Sequence, residues 1–218
     1  MQPYFMPYAG YFRLFAAADV FVALDCVQFP RRGWVHRNRF TDQNGELQWL
    51  TVPLKKGDRD ATRICDLQFQ DNANALFLEE TRRFRSLKSI RQDHPVLADI
   101  LFDMGACPNE YFTSSLLKMA QRLGVERPII SSSTLNVDPR FKAQERIIEI
   151  AKQVGAKDYI NSPGGKDIYD EVAFKEAGLT LNFLSDYRGS YSSILERVID
   201  DGVDLVAKEI HQNLILSA

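Results

Sequence analysis

The chain has 218 residues, 45% of them apolar and 26% charged, with a formal net charge of -2. These values are ordinary for a soluble globular protein, and no apolar run approaches the roughly 20 residues that a membrane helix needs. We therefore expect no membrane insertion. The small net charge excludes a general attraction to nucleic acid, so recognition of an anion must be local. Three widely spaced cysteines argue against a disulfide framework and favour a reducing cytoplasm.

The N-terminal third begins with a segment, MQPYF, that is typical of the end of a strand. We expect that the true start lies upstream or that the first strand is very short. Gly10 leads into a short apolar helix over 11–18, and a buried strand follows over 19–25. The pair Asn44-Gly45 predicts a hairpin that joins 36–41 to 46–54, and the alternation in 63–69 predicts another strand.

Residues 72–123 show helical periodicity, with a boundary at His94-Pro95 and a helix end at Gly124. Beyond them, strand and helix alternate, which predicts a parallel sheet with right-handed crossovers. The fold class expected is α/β, a Rossmann-like, mostly parallel sheet with a β-hairpin section. The chain is expected to form one domain over 1–218, with 72–123 as a helical insertion or cap. The predicted C-terminal elements are strand 128–133, helix 139–154, strand 157–161, helix 166–176 and strand 179–184.

Polar and cationic side chains are concentrated just past the buried strand 19–25. Groups of this kind at the carboxyl end of a strand are typical of an anion-binding site in an α/β protein. Arginine forks pair bidentately with phosphate or carboxylate, and Trp34 is suited to stack on a sugar or base. The alternative is a solvated charged loop. The predicted binding residues here are Gln28, Arg32, Trp34, Arg37, Asn38 and Arg39, within a cluster that also contains Arg31.

A second candidate site is the segment SPGGKDIYD at 162–170, between a predicted strand and helix. Two glycines permit close backbone approach, and a helix N-terminus offers free N–H donors to an anion. The alternative is a tight turn that needs glycine for a positive φ. The predicted anion-binding residues are Ser162, Gly164, Gly165 and Lys166.

Two residues are candidates for catalysis, Asp25 and His36. A carboxylate at a strand end beside arginines is suited to act as a general base or to orient a metal. A histidine in the same cluster can exchange a proton near neutral pH. No residue set predicts a bound metal, since three scattered histidines and the absence of CxxC and HExxH argue against a dedicated zinc site. The serines and threonine of 131–134, at a strand end, are candidates to bind an oxyanion, but such residues more often form turns, and a turn is the favoured interpretation.

Tyr8-Ala9-Gly10-Tyr11 has the spacing of the HxGH signature of nucleotidylyltransferases and pantothenate synthetases, with tyrosine in both histidine places. The resemblance covers about forty residues and implies a nucleotidylyltransferase-like fold with Tyr8, Gly10 and Tyr11 near an anion. Tyrosine can hydrogen-bond a phosphate but brings no imidazolium charge. The alternative is that these tyrosines belong to an aromatic core.

As a whole, the chain resembles the WbqC-like family. The matching segments run from Met1 to about residue 187 and include MQPYFMPYAGYFRL, AADVFVALDCVQF, RRGWVHRNRF, LQWLTVPLKK and ERIIEIAKQVGAKDYINSPGGKDIYD. The resemblance implies a protein of bacterial O-antigen or other surface-polysaccharide clusters, with a glycine transferase role suggested for some members. It implies a cytoplasmic enzyme that attaches an amino-acid or acyl group to a nucleotide-linked amino sugar.

Three functions are compatible with these observations. The first is an aminoacyl or acyl transferase in lipopolysaccharide biosynthesis, for which ATP would activate the acyl group. The second is a non-catalytic protein that binds a nucleotide or nucleotide sugar in a biosynthetic complex. The third, nucleic-acid binding, is disfavoured by the net charge. The sequence leaves open whether ATP, another nucleotide or Mg²⁺ is the cofactor, which donor and acceptor are used, and whether the chain forms a homo-oligomer.

Overall fold

The computed structural model describes residues 1–30, 32–58, 61–212, 214 and 216–217. It is a mixed α/β structure with short parallel sheets. The helices are α1 Ala9–Ala17, α2 Ala73–Thr81, α3 Ile90–Asp93, α4 Pro95–Phe102, α5 Pro108–Arg122, α6 Ala143–Gln153, α7 Glu171–Glu176, α8 Ile194–Asp201 and α9 Val203–Gln212. The strands are β1 Phe21–Ala23, β2 Arg37–Thr41, β3 Leu47–Thr51, β4 Ile129–Ser131, β5 Asp158–Asn161, β6 Thr180–Leu184 and β7 Leu216–Ser217.

Two parallel strand pairs form the α/β part of the molecule. β1 pairs with β4, with Phe21 opposite Ile129, and β5 pairs with β6, with Asp158 opposite Thr180. Strand β7 adds to β6 in the antiparallel sense. The predicted order had β4, β5 and β6 in one parallel sheet. Instead β4 pairs with the N-terminal strand β1, because pairing partners in a sheet are set by packing and not by nearness along the chain.

The first residues run alongside β1. The Met1 amine donates to Val22 O at 3.0 Å, and Leu24 N donates to Met1 O at 2.7 Å. Burial lowers the pKa of that amine to about 5. A cleft of about 750 Å³ lies between β1 and β5, walled by apolar residues of α1 and α6. Within the described part of the chain, no strand bridges this cleft.

The hairpin of β2 and β3 forms as the sequence predicts. Asp42 Oδ1 accepts hydrogen bonds from Asn44 N at 2.8 Å and Glu46 N at 2.9 Å, and Gly45 has a φ of +86°. The register places Arg39 opposite Trp49. Because side chains alternate across a strand, Asn38 and Phe40 are buried on the inner face, whereas Arg37 and Arg39 lie on the outer face.

The segment 63–69 does not form the predicted strand. Residues Ile64–Asp66 form a 3₁₀ helix, and only isolated bridges remain, at Gln28–Arg63 and Leu54–Phe69. The buried side chains of Ile64 and Leu67 are three residues apart, a spacing that fits a 3₁₀ turn and not the two-residue repeat of a strand. In contrast, the helix boundary at Pro95 and the end of α5 before Gly124, where φ is +69°, are confirmed.

The helical stretch 72–123 contributes to the main apolar core of the molecule. Phe77, Leu101, Tyr111 and Phe112 pack there with residues of α1, the hairpin and α8. A second, smaller core lies between α6, α7 and the β5–β6 pair. Among the described residues, no helix is long and apolar enough to cross a membrane.

Candidate functional site

An exposed face of the hairpin brings two tryptophans and two arginines together. We call Trp34, Arg37, Arg39 and Trp49 the tryptophan–arginine face. The two indole rings lie 5.1 Å apart between centroids. The Arg37 guanidinium carbon lies 4.1 Å from the Trp49 ring centroid, and that of Arg39 lies 5.5 Å from Trp34 and 5.6 Å from Trp49. The sequence predicted three of these residues as a binding group, and the structure brings all three together.

The charges of this face are not compensated by carboxylates of the described residues. Arg37 Nε donates to Gly33 O at 3.3 Å, and the face has no ion pair with any acidic side chain that the structure describes. Stacking on an indole uses the flat side of a guanidinium and leaves N–H groups at its edge available. The face can therefore donate hydrogen bonds to an anion while an indole ring contacts a flat group.

Asn38 lies on the opposite side of the same strand and is buried. Its amide nitrogen donates to Phe5 O at 3.2 Å and Met6 O at 2.5 Å, and its oxygen accepts from Arg39 N at 2.7 Å. Met6 has a φ of +43°, a conformation that most side chains avoid. The placement of Asn38 favours fixing the N-terminal segment over the predicted contact with a ligand.

Asp25 is fully buried just after β1, where the sequence predicted a catalytic carboxylate. Its Oδ1 accepts from Ser132 Oγ at 2.8 Å and Ser133 N at 2.7 Å. Its Oδ2 accepts from Asn109 Nδ2 and Ser133 Oγ, both at 2.7 Å. With four donors on one carboxyl group, the geometry favours a positioning role in which Asp25 ties β1, α5 and the 3₁₀ helix Ser132–Thr134 together.

The surroundings of Asp25 include side chains, among them Asn109 and Arg146, that are not among the predicted site residues. Asn109 Oδ1 is buried with no hydrogen-bond partner among the described residues. Arg146 donates to the carbonyls of Phe141 at 2.8 Å, Pro139 at 3.1 Å and Cys26 at 3.4 Å, and its Nη1 lies 3.6 Å from Cys26 Sγ. Of the two alternatives for 131–134, a turn and the binding of an oxyanion, Ser132 and Ser133 fulfil the second toward the Asp25 carboxylate within the protein.

His36, the second candidate for catalysis, is half-buried against Phe29, with ring centroids 4.9 Å apart. Its Nδ1 is buried with no hydrogen-bond partner among the described residues. Burial, and then the charge of Arg37, lower the pKa of His36 to about 4. The imidazole is therefore neutral at physiological pH.

A stability difference between pH 6.5 and pH 4 should follow from His36. In this range the unfolded chain binds a proton at an imidazole of pKa 6.5 while the folded chain stays neutral, so stability falls as the pH is lowered. The linkage amounts to at most about 3 kcal/mol. When urea unfolding is measured at several pH values, the free energy of unfolding of His36→Phe should change less with pH than that of the wild type. The exposed His211→Gln variant should keep the wild-type slope, and an unchanged slope in His36→Phe would contradict the account.

The tyrosines of the segment Tyr8-Ala9-Gly10-Tyr11 pack against other parts of the protein. Tyr11 is buried and its hydroxyl donates to Gln2 O at 2.6 Å, and burial raises its pKa well above the ordinary value of 10. Tyr8 is half-buried against Tyr187 and Tyr191, with ring centroids 5.3 and 4.8 Å away. Their placement favours the aromatic-core alternative over anion binding.

Gly10 is required by this packing, whereas Gly164 is not. A Cβ on Gly10 would lie 2.7 Å from Tyr187 Cγ, and one on Gly164 would meet nothing within 4 Å. We expect Gly10→Ala to lower the free energy of unfolding by about 1–3 kcal/mol and Gly164→Ala to leave it nearly unchanged, as measured by urea unfolding. Equal effects in both variants would contradict this assignment.

The loop after β5 differs from the prediction. Residues Pro163–Gly165 form a 3₁₀ helix, and α7 begins only at Glu171, where Asp170 Oδ1 accepts from Val172 N at 3.0 Å. The predicted helix N-terminus at 164–166 is therefore wrong, and so is the alternative of a positive φ, which neither glycine has. Gly165 instead allows close packing on the buried side chain of Asn161, whose Nδ2 would lie 2.8 Å from a Cβ.

The remaining predicted site residues lie on the surface in two groups. Lys166 is exposed, with its amine 5.9 Å from the Phe183 ring centroid, and Ser162 N donates to Asn161 Oδ1 at 2.8 Å. Gln28 and Arg32 are exposed on the loop before the hairpin. Arg31 lies outside the described residues. Ligand contact by Ser162, Lys166, Gln28 and Arg32 stays a prediction.

Comparison with known proteins identifies a family but no catalytic activity. A sequence model described as the WbqC-like protein family matches residues 2–197. The chain is 26% identical over 192 residues to an uncharacterized protein of Mycobacterium tuberculosis, Rv1507c, and the match covers 87% of this chain and 81% of that protein. No solved structure matches the chain.

Proposed function

Since the chain belongs to the WbqC-like protein family, we propose that it is a transferase of bacterial surface-polysaccharide biosynthesis. Its substrate is a nucleotide-linked amino sugar, and it attaches an amino-acid or acyl group to the amine. The reaction takes place in the cytoplasm, where nucleotide sugars are made.

The tryptophan–arginine face carries this proposal. Two guanidiniums without carboxylate partners among the described residues offer a site for phosphate, and an indole 38% exposed at Trp34 offers a surface for a base or sugar ring. Aromatic and arginine side chains are the groups that bind nucleotides through stacking and bidentate hydrogen bonds.

The fold is proposed to be Rossmann-like. Both β1–β4 and β5–β6 are parallel pairs, and α1 and α6 wall the cleft between them. In open parallel sheets, ligands bind beyond the carboxyl ends of the strands. Asp25 and Ser132 follow the carboxyl ends of β1 and β4, so the second half of the site is proposed to lie there.

The chemistry is proposed to be amide formation through an activated acyl group, with ATP as the activating co-reactant. A carboxylate oxygen of the amino acid would attack the α-phosphorus of ATP, and pyrophosphate would leave. The amine nitrogen would then attack the carbonyl carbon of this acyl adenylate, so that the C–N bond forms and the C–O bond to AMP breaks. The proton lost by the amine passes to a base, for which the neutral imidazole of His36 is the candidate. Asp25 would position Ser133 and Asn109 at the edge of this site.

Mass spectrometry of reaction mixtures tests the transferase directly. Purified protein is incubated with UDP-glucosamine, glycine, ATP and Mg²⁺, and the product expected is UDP-glucosamine heavier by one glycyl group. His36→Gln should lower the rate while leaving binding of UDP-glucosamine intact. If no acylated sugar forms with glycine, other proteinogenic amino acids, or acetyl-CoA as donor, the transferase proposal fails.

One observation favours a non-catalytic binding protein instead. The buried carboxyl group of Asp25 already accepts four hydrogen bonds, so the strongest candidate for a base is occupied. A binding protein would hold nucleotide sugars on the tryptophan–arginine face and give no product in the same incubation. Binding without turnover would therefore favour this second function.

A further inference from the structure

The tryptophan–arginine face holds two cations at a fixed spacing. Arg37 and Arg39 are separated by one residue on β2, and alternate residues of a strand are about 6.6 Å apart and point to the same side. Both guanidiniums lie against Trp49, which limits how far either one can swing. The face therefore presents two positive charges side by side and not one shared charge.

We propose that this face recognises the diphosphate of a nucleoside diphosphate sugar, with one arginine for each phosphate and the base against Trp34. The proposal rests on the proposed function and narrows its substrate class to sugars linked through two phosphates. A diphosphate diester carries one negative charge on each phosphate, so its charge is spread over two neighbouring groups. A phosphate monoester carries nearly two charges on a single group at neutral pH.

Two separate cations favour a diphosphate, whose charge is spread over two phosphates, over a monophosphate that carries the same charge on one. A monophosphate can satisfy one guanidinium bidentately but leaves the second without a partner, whereas a diphosphate can satisfy both. The cost of turning a flexible arginine toward the ligand is also lower here, because the indole contacts already order the side chains. The outer position of Trp34, 38% exposed, leaves its ring accessible to a base.

The two tryptophans of this face are the only ones in the chain. Tryptophan fluorescence, excited at a wavelength that the eight tyrosines do not absorb, therefore reports this site. We would titrate the wild type with UDP-N-acetylglucosamine, UDP, UMP, uridine and N-acetylglucosamine 1-phosphate at constant ionic strength. The expected result is that UDP-N-acetylglucosamine binds at least about tenfold more tightly than UMP, although both carry about two negative charges.

The variants Arg37→Gln and Arg39→Gln test whether each arginine binds one of the two phosphates. Each should reduce the preference for UDP-N-acetylglucosamine over UMP toward one, because the remaining guanidinium can serve either ligand. If the arginines had a merely structural role, each variant would bind both ligands more weakly and the ratio of the two affinities would stay unchanged. Arg122→Ala, on the exposed end of α5, is the matched control and should keep the wild-type ratio. Thermal unfolding confirms that each variant is folded.

The outcomes separate this inference from the proposed function. Equal affinities for UMP and UDP-N-acetylglucosamine, or a preference that survives in both arginine variants, would overturn the diphosphate assignment even if acyl transfer is observed. A preference that is lost in the variants supports it even if no acylated product forms. A response to UDP but not to UDP-N-acetylglucosamine would overturn the sugar nucleotide as the ligand.

Discussion

Asp25→Ala should be the most damaging single substitution considered for this protein, lowering the free energy of unfolding by about 3–5 kcal/mol. The carboxyl group accepts from two side-chain hydroxyls, an amide and a backbone N–H. Removing it leaves four donors without this acceptor, of which the Ser132 hydroxyl belongs to a buried residue. Urea unfolding followed by circular dichroism measures the loss.

Asp25→Asn separates a positioning role from catalysis. The amide keeps the size of the side chain but replaces one acceptor oxygen by a donor, so we expect a smaller yet measurable loss of stability. If Asp25 acted as a catalytic base, the Asp25→Asn variant would instead keep normal stability and lose turnover. Ser133→Ala removes one exposed hydroxyl from the same group and serves as the mild control. An Asp25→Asn protein as stable as the wild type would contradict the positioning role.

Asn38→Asp should be nearly as damaging as the loss of Asp25. The Asn38 amide donates to the carbonyls of Phe5 and Met6 inside the core. A carboxylate there would face two carbonyl oxygens and bury a charge, which costs more than an unfilled hydrogen bond. We expect a loss above about 3 kcal/mol for Asn38→Asp and about 2–3 kcal/mol for Asn38→Ala.

The ranking of the two Asn38 variants is the test. Met6 O keeps a second donor in Ser193 Oγ at 3.0 Å, so Asn38→Ala should still fold. Chemical unfolding at pH 7.5 gives both values, and nucleotide titration of Asn38→Ala shows whether the ligand site survives. If Asn38→Asp were as stable as Asn38→Ala, the amide would not be donating to the buried carbonyls. If Asn38→Ala stayed folded but lost all ligand binding, Asn38 would be a ligand contact, as the sequence suggested.

Local signals in the sequence predicted the elements whose geometry is set by near neighbours. The Asn44-Gly45 turn, the Pro95 helix start and the Gly124 helix end each depend on the backbone preferences of one or two residues. The strand predicted over 63–69 is wrong because the buried residues there, Ile64 and Leu67, follow the three-residue spacing of a 3₁₀ turn packed on the core. The pairing of β4 with β1 depends on contacts between residues more than 100 positions apart, which periodicity does not encode.

The candidate site was predictable only in part, for the same reason. Arg37, Arg39 and Trp34 stood out because they are close together in sequence. Trp49 was missed as a site residue, although alternation along the hairpin would have placed it opposite Arg39. The partners of Asp25 come from α5 and the 3₁₀ helix at 132–134, far along the chain, and no local pattern connects them.

The tryptophan–arginine face is proposed to bind a nucleoside diphosphate sugar. Calorimetric titration of UDP-N-acetylglucosamine into the wild type and into a folded Arg37→Gln, Arg39→Gln double variant tests it most directly. We predict saturable binding to the wild type and a loss of at least about a hundredfold in affinity, or about 2.7 kcal/mol, in the double variant. Undiminished binding to the double variant would place the substrate elsewhere and contradict the account.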